Sequence, residues 1–157
     1  MAELQLPKEL ATGVLEMDDQ QEDIFRQMHE VKSRLMERET LDAESFALVS
    51  QLAIDMAMHF AWEEQTAAEA GIPFAEHTRE HERIKKFLLI KASQVEQGEC
   101  NIPALLVYMD RKFETHIVYF DRPFGRQLQA KPLAVDRHHA FPVFSRPGYA
   151  PAASLPS

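Results

Sequence analysis

Three spacings in this chain could do metal chemistry. His59 and Glu63 lie four residues apart, His77 and His81 lie four apart, and His116 precedes Asp121 by five. Side chains four apart project from one helix face, so each of the first two pairs offers two ligands to a shared centre. The five-residue step predicts a carboxylate rotated away from the His116 imidazole and leaning sideways to bridge two ions. Four imidazoles and two carboxylates with no thiolate favour a borderline first-row ion such as iron, and two bridging carboxylates imply two ions. Cations would keep Glu63 and Asp121 ionised in an otherwise dry core.

The surrounding periodicity predicts helices, because apolar residues return every three or four positions. The first helix is expected at about Asp18 to Glu37, with Met17, Ile24, Met28, Val31 and Leu35 inward and Gln21 interrupting the stripe. The second runs from an N-cap at Asp42 to a left-handed turn at Gly71, carrying Val49, Leu52 and Met56. The third follows a first-turn Pro73 and ends before Gly98, with Ile84, Leu88 and Val95 inward. The fourth starts behind Asn101 and Pro103 and loses regularity around Pro123 and Gly125, its stripe being Ile102, Leu106, Met109, Phe113 and Phe120. Pro123 disfavours helical geometry at Arg122.

Short connections make sequence neighbours antiparallel, so the expected fold is all-α, an up-down four-helix bundle over residues 1–128. A Pro-rich tail, extended or partly disordered, is expected over 129–157. In such a bundle Gln21, His59, Glu63, His77, His81, His116 and Asp121 fall at one end, within roughly 10 to 15 Å along the axis at about 1.5 Å per residue.

The chain has 157 residues, of which 45% are hydrophobic and 27% charged, which suits one globular domain. A formal charge of -8 repels phosphate backbones and anionic lipid, so neither nucleic acid nor membrane is an expected partner. The lone Cys100 excludes an internal disulfide and a cysteine zinc site; with no signal-like start, a cytoplasmic location is expected. His29 reads as a surface or boundary residue, His138 and His139 as a solvated pair, Cys100 as an incidental thiol, and Trp62 as packing beside the site.

The segments TGVLEMDDQQEDIF, HFAWEE, GIPFAEHTREHERI and HIVYFDRPFG together resemble the bacteriohemerythrins, members of the hemerythrin family of non-haem di-iron oxygen binders. The likeness covers roughly Thr12 to Leu128. It implies two iron ions bridged by oxo or hydroxo, with Glu63 and Asp121 bridging and His77, His81 and His116 completing one iron. The other iron would take His59 and a first-helix histidine, leaving an open position for dioxygen or another small diatomic ligand.

This chain departs from the family pattern at that histidine, because Gln20 is followed by Gln21. A neutral amide is a poorer iron ligand than imidazole, so Gln21 is expected as a weak ligand or pocket residue and the second ion at low occupancy. Ala67 stands where the family often has a bulky methionine, which predicts a larger oxygen pocket, lined with Ile24 and Phe113 by analogy. Oxygen carriage, storage or sensing without catalysis is the leading expectation. A di-iron oxidase, peroxidase or nitric oxide scavenger, and a metal-stabilised interaction module, are the alternatives.

Overall fold

The computed structural model describes residues 6–37 and 43–131, and the described residues are helical with no strand. After a single 3-10 turn at Lys8–Leu10 come α1 (Leu15–Met36), α2 (Ala43–Ala70), α3 (Ala75–Glu96) and α4 (Ile102–His116). A π-helical turn, Ile117–Asp121, then leads without a break into α5 (Arg122–Gln129). The expected N-cap at Asp42 and the Pro-rich tail, with His138 and His139, lie outside the described residues.

Local chemistry accounts for the boundaries. The Asp18 carboxylate, in the first turn of α1, takes the Thr12 N–H and hydroxyl on Oδ1 and the Gly13 N–H on Oδ2. α2 stops at Gly71, whose φ of +69° lets Ile72 N–H reach back to Ala67 O at 2.9 Å. Gly98, at φ +73°, does the same for α3, with Glu99 N–H on Gln94 O. Asn101 Oδ1 caps α4 by accepting Ala104 N–H at 3.0 Å. Pro73 lies in the connection before α3 rather than in its first turn, since Phe74 is the N-cap.

The fourth helix departs from expectation in one respect that matters for the site. Helical structure continues through Pro123 and Gly125 to Gln129, and Arg122 is helical although it precedes a proline. The π-turn absorbs the change: widening the helix by one residue shifts the register of everything after it. Ile117, four residues after Phe113, is fully buried, whereas Phe120, expected inward, falls within the π-turn and is only partly buried.

Buried side chains form two apolar clusters. The larger draws on all four long helices and includes Ile24, Met28, Leu52, Met56, Phe60, Ile84, Leu88, Met109 and Phe113. The smaller comprises Met17, Trp62, Ala67, Ile72, Phe124 and Leu128. Along the chain the polar positions fall between these sets: Gln20 and Gln21 between Met17 and Ile24, His59 beside Phe60, and Glu63 after Trp62. His77 and His81 lie between Ile72 and Ile84, and Asp121 between Ile117 and Phe124.

Cross-helix contacts tie the elements together. From α1, Gln20 meets His59, Gln27 donates to Asp55, and Arg34 approaches Glu44 on α2. Lys32 pairs with Asp110 on α4, and Lys112 of α4 pairs with the buried Glu80 of α3 at 2.7 Å. No helix among the described residues is long and apolar enough to cross a membrane.

Candidate metal centre

Two helices supply one pair of potential ligands each. On α2, a four-residue step places His59 Nε2 at 3.2 Å from Glu63 Oε2, both side chains fully buried. On α3, His77 and His81 present their rings 4.6 Å apart, and His81 Nε2 lies 3.0 Å from Glu63 Oε1. His77 Nε2 lies 3.6 Å from the same oxygen and 2.9 Å from Asp121 Oδ1.

The fourth contribution corrects the sequence expectation. In a regular α-helix a step of five turns a side chain well away from its predecessor, but His116 Nε2 and Asp121 Oδ1 are 3.0 Å apart. The π-turn between them is the cause, since its i to i+5 bonding returns Asp121 to the face that His116 occupies.

Glu63, His77, His81, His116 and Asp121 thus each place one donor atom within 4.8 Å of all the others, and all five are buried. His59 adjoins this group through Glu63. Gln21, fully buried, donates Nε2–H to Asp121 Oδ2, while its Oε1 has no hydrogen-bond partner.

The convergence is not a satisfied hydrogen-bond network. His81 Nε2, His116 Nε2 and both Glu63 oxygens are buried without an aligned partner, although nitrogen and oxygen face one another at 3.0 to 3.6 Å. Each unsatisfied buried group costs about 1–3 kcal/mol. Cations placed among them would give these atoms partners, so the donor set could hold a metal ion, and nitrogen with oxygen donors suits iron, zinc or manganese.

Outer residues orient two of the rings. Glu16 accepts Gln20 Nε2–H, which turns Gln20 Oε1 to His59 Nδ1 at 2.8 Å. Glu64 Oε1 lies 2.9 Å from His81 Nδ1. An oxygen that can only accept fixes the proton on Nδ1, so in both rings Nε2 keeps its lone pair toward the centre. Aromatic rings close the surroundings: Phe60 stacks on His81 at 4.0 Å and 7°, Phe74 on His77 at 4.0 Å, and Phe124 packs against Phe74 at 4.7 Å.

Titration follows from this burial. Burial, and then the Asp121 charge, push Glu63 well above the ordinary carboxylate range. Burial also opposes ionisation of Asp121, but the His116 charge and the contacts with His116 and His77 outweigh it and hold that carboxyl low. Burial pulls His116 down, and its carboxylate neighbours outweigh that and raise it. His77 and His81 are lowered, first by burial. Without a cation, the opposed directions favour a proton on Glu63 and on His116 over one on Asp121, His77 or His81.

Among the remaining expectations, Ile24 and Phe113 are buried in the larger cluster, where the Phe113 ring lies 5.0 Å from Phe25, whereas Ala67 is buried in the smaller one beside Trp62. His29 is exposed and Cys100 partly buried. Sequence reasoning missed Gln20, Glu64 and Phe60. The signal for Gln20 and Glu64 was adjacency, each lying one residue from a candidate ligand. Family models, curated proteins and solved structures yielded no match to the chain.

Proposed function

We propose that this chain is a hemerythrin-type bundle, an antiparallel up-down four-helix arrangement holding two iron ions that bind dioxygen or another small diatomic ligand. The observation that carries the proposal is the set of buried, unaligned donors on Glu63, His81 and His116, drawn from three helices. The antiparallel arrangement is supported by the contacts of α1, whose residues 20, 27 and 34 meet residues 59, 55 and 44 of α2 in descending order. A soluble cytoplasmic oxygen carrier, store or sensor is the role this favours.

Two ferrous ions would supply the electrons that reversible dioxygen binding requires. The chain's own residues would do the rest. His77, His81 and His116 would hold one ion, and His59 the other, with Glu63 and Asp121 between them. Glu64 and Gln20 would keep His81 and His59 in the ligating tautomer. Phe60, Phe74 and Phe124 would exclude water, which protects a charged adduct from protonation.

Gln21 favours a second reading, a di-iron oxidase, peroxidase or nitric oxide scavenger, because an amide in place of an imidazole leaves the second ion less saturated. One experiment separates the two. Iron is counted per chain, and the anaerobic ferrous protein is then exposed to air while charge-transfer absorption is followed through oxygenation and deoxygenation. A reversible spectrum supports carriage; irreversible oxidation, or turnover of peroxide or nitric oxide, supports the enzyme. Absence of bound iron refutes both.

A further inference from the structure

The two carboxylates divide their oxygens unequally, and the division defines two different cation positions. On one side, Glu63 Oε1 and Asp121 Oδ1 face His77, His81 and His116, so five donors converge. On the other, Glu63 Oε2 lies 3.2 Å from His59 Nε2, and Asp121 Oδ2 accepts the Gln21 N–H. Only Nε2 of a carboxamide can donate, so the bond to a carboxylate fixes which way the Gln21 amide points. An N–H directed at that oxygen places partial positive charge where a second cation would sit. The fully buried Gln21 Oε1 is left without a partner.

Resting on the metal-centre reading above, we propose that Gln21 gates the second position and makes loading sequential. The first ion enters the three-histidine side while the Gln21 amide stays bonded to Asp121. The Gln21 amide would have to turn by half a rotation to free Asp121 Oδ2 for a second ion, a turn that would also direct its unpartnered Oε1 toward that position. The chain therefore has a stable one-metal state, and Gln21 sets the gap between the two affinities.

Anaerobic titration of the metal-free full chain with ferrous ion alone, competed against a chelator and counted by native mass spectrometry, tests this. The expected result is two steps, the second weaker by about 100-fold, the upper range for a lost outer partner. Gln21→Glu, which has no N–H to donate and adds an anionic oxygen, should narrow the gap at least about tenfold. His59→Ala should abolish the second step and leave the first in place, and circular dichroism verifies that each variant is folded. Equal affinities in the natural chain, an unchanged gap in folded Gln21→Glu, or loss of the first step in folded His59→Ala would overturn the gate. Failure of the natural chain to bind any ion would instead overturn the metal centre itself, so the two failures are distinguishable.

Discussion

Glu64→Ala should weaken metal binding about tenfold while leaving the metal-free fold almost unchanged. Glu64 touches the centre only through His81 Nδ1, at 2.9 Å, on the ring edge opposite the donor atom. Removing such a partner costs about 10–100-fold in affinity, because the ring loses both its fixed tautomer and its orientation. The Glu64 side chain is 32% exposed, so water can replace the lost oxygen and the lower end applies, about tenfold or about 1.4 kcal/mol. The same pair in the metal-free chain is partly solvated and contributes at most about 1 kcal/mol. Competition against a chelator of known affinity measures the first quantity, and urea unfolding of the chelated protein measures the second. Glu64→Gln, which keeps an accepting oxygen, should fall between the natural chain and the alanine variant. Unchanged affinity in Glu64→Ala would refute the claim that this contact prepares His81 as a ligand.

Other outcomes follow from the same geometry. In Gly125→Ala the added Cβ would sit 2.6 Å from Thr12 O, so a backbone clash of about 1–3 kcal/mol should outweigh a helix-propensity gain of about 1 kcal/mol; increased stability in urea would contradict this. Phe60→Ala should cost about 3–5 kcal/mol, since the ring is fully buried against His81, and a smaller loss would show that the layer repacks. At pH below the raised titration of Glu63 and His116, metal loading should release protons from those two groups, and not from His77 or His81, whose titration is lowered. Protons then compete with the metal, so affinity rises with pH by up to about two decades per unit, and calorimetry in buffers of different ionisation heat should detect the release. Chelation should lower the thermal midpoint by the equivalent of about 2.7 kcal/mol at free metal 100-fold above its dissociation constant; an unmoved midpoint would mean that the folded chain holds no ion.

How much of this was readable in advance depends on how far each feature is visible in one helix turn. His59 with Glu63 and His77 with His81 share faces at α-helical spacing, and the stripe through Met17, Ile24, Met28, Val31 and Leu35 is buried as its period requires. The glycine stops at Gly71 and Gly98 and the Asn101 cap are equally local. The π-turn is not, because a step of five from His116 to Asp121 reads as two different faces unless the backbone widens between them. The sequence places the loss of regularity around Pro123 and Gly125, but the irregular turn is Ile117–Asp121, just before them, and both residues sit in regular helix. Gln20 and Glu64 carry no periodic signal of their own, since a glutamine or glutamate turned toward a ligand looks the same in sequence as one turned toward water.

The placement of the polar layer bears on why it exists. Apolar clusters lie on both sides of it along the chain, and either would pack onward at less cost if His59, Glu63, His81 and Asp121 were apolar residues of similar volume. Instead the fold buries them with one another, which raises the titration of both Glu63 and His116. Such a layer is costly as a structural device, because atoms that face at 3.0 Å without alignment return little of their desolvation. Bound cations would reverse the balance: they would favour ionised Glu63 and neutral His116 and give the orphaned atoms partners. A layer that is unfavourable without a cation would thus be the same arrangement that holds one, and the contacts of Gln20 with His59 and of Glu64 with His81 already hold both rings in the orientation a ligand needs.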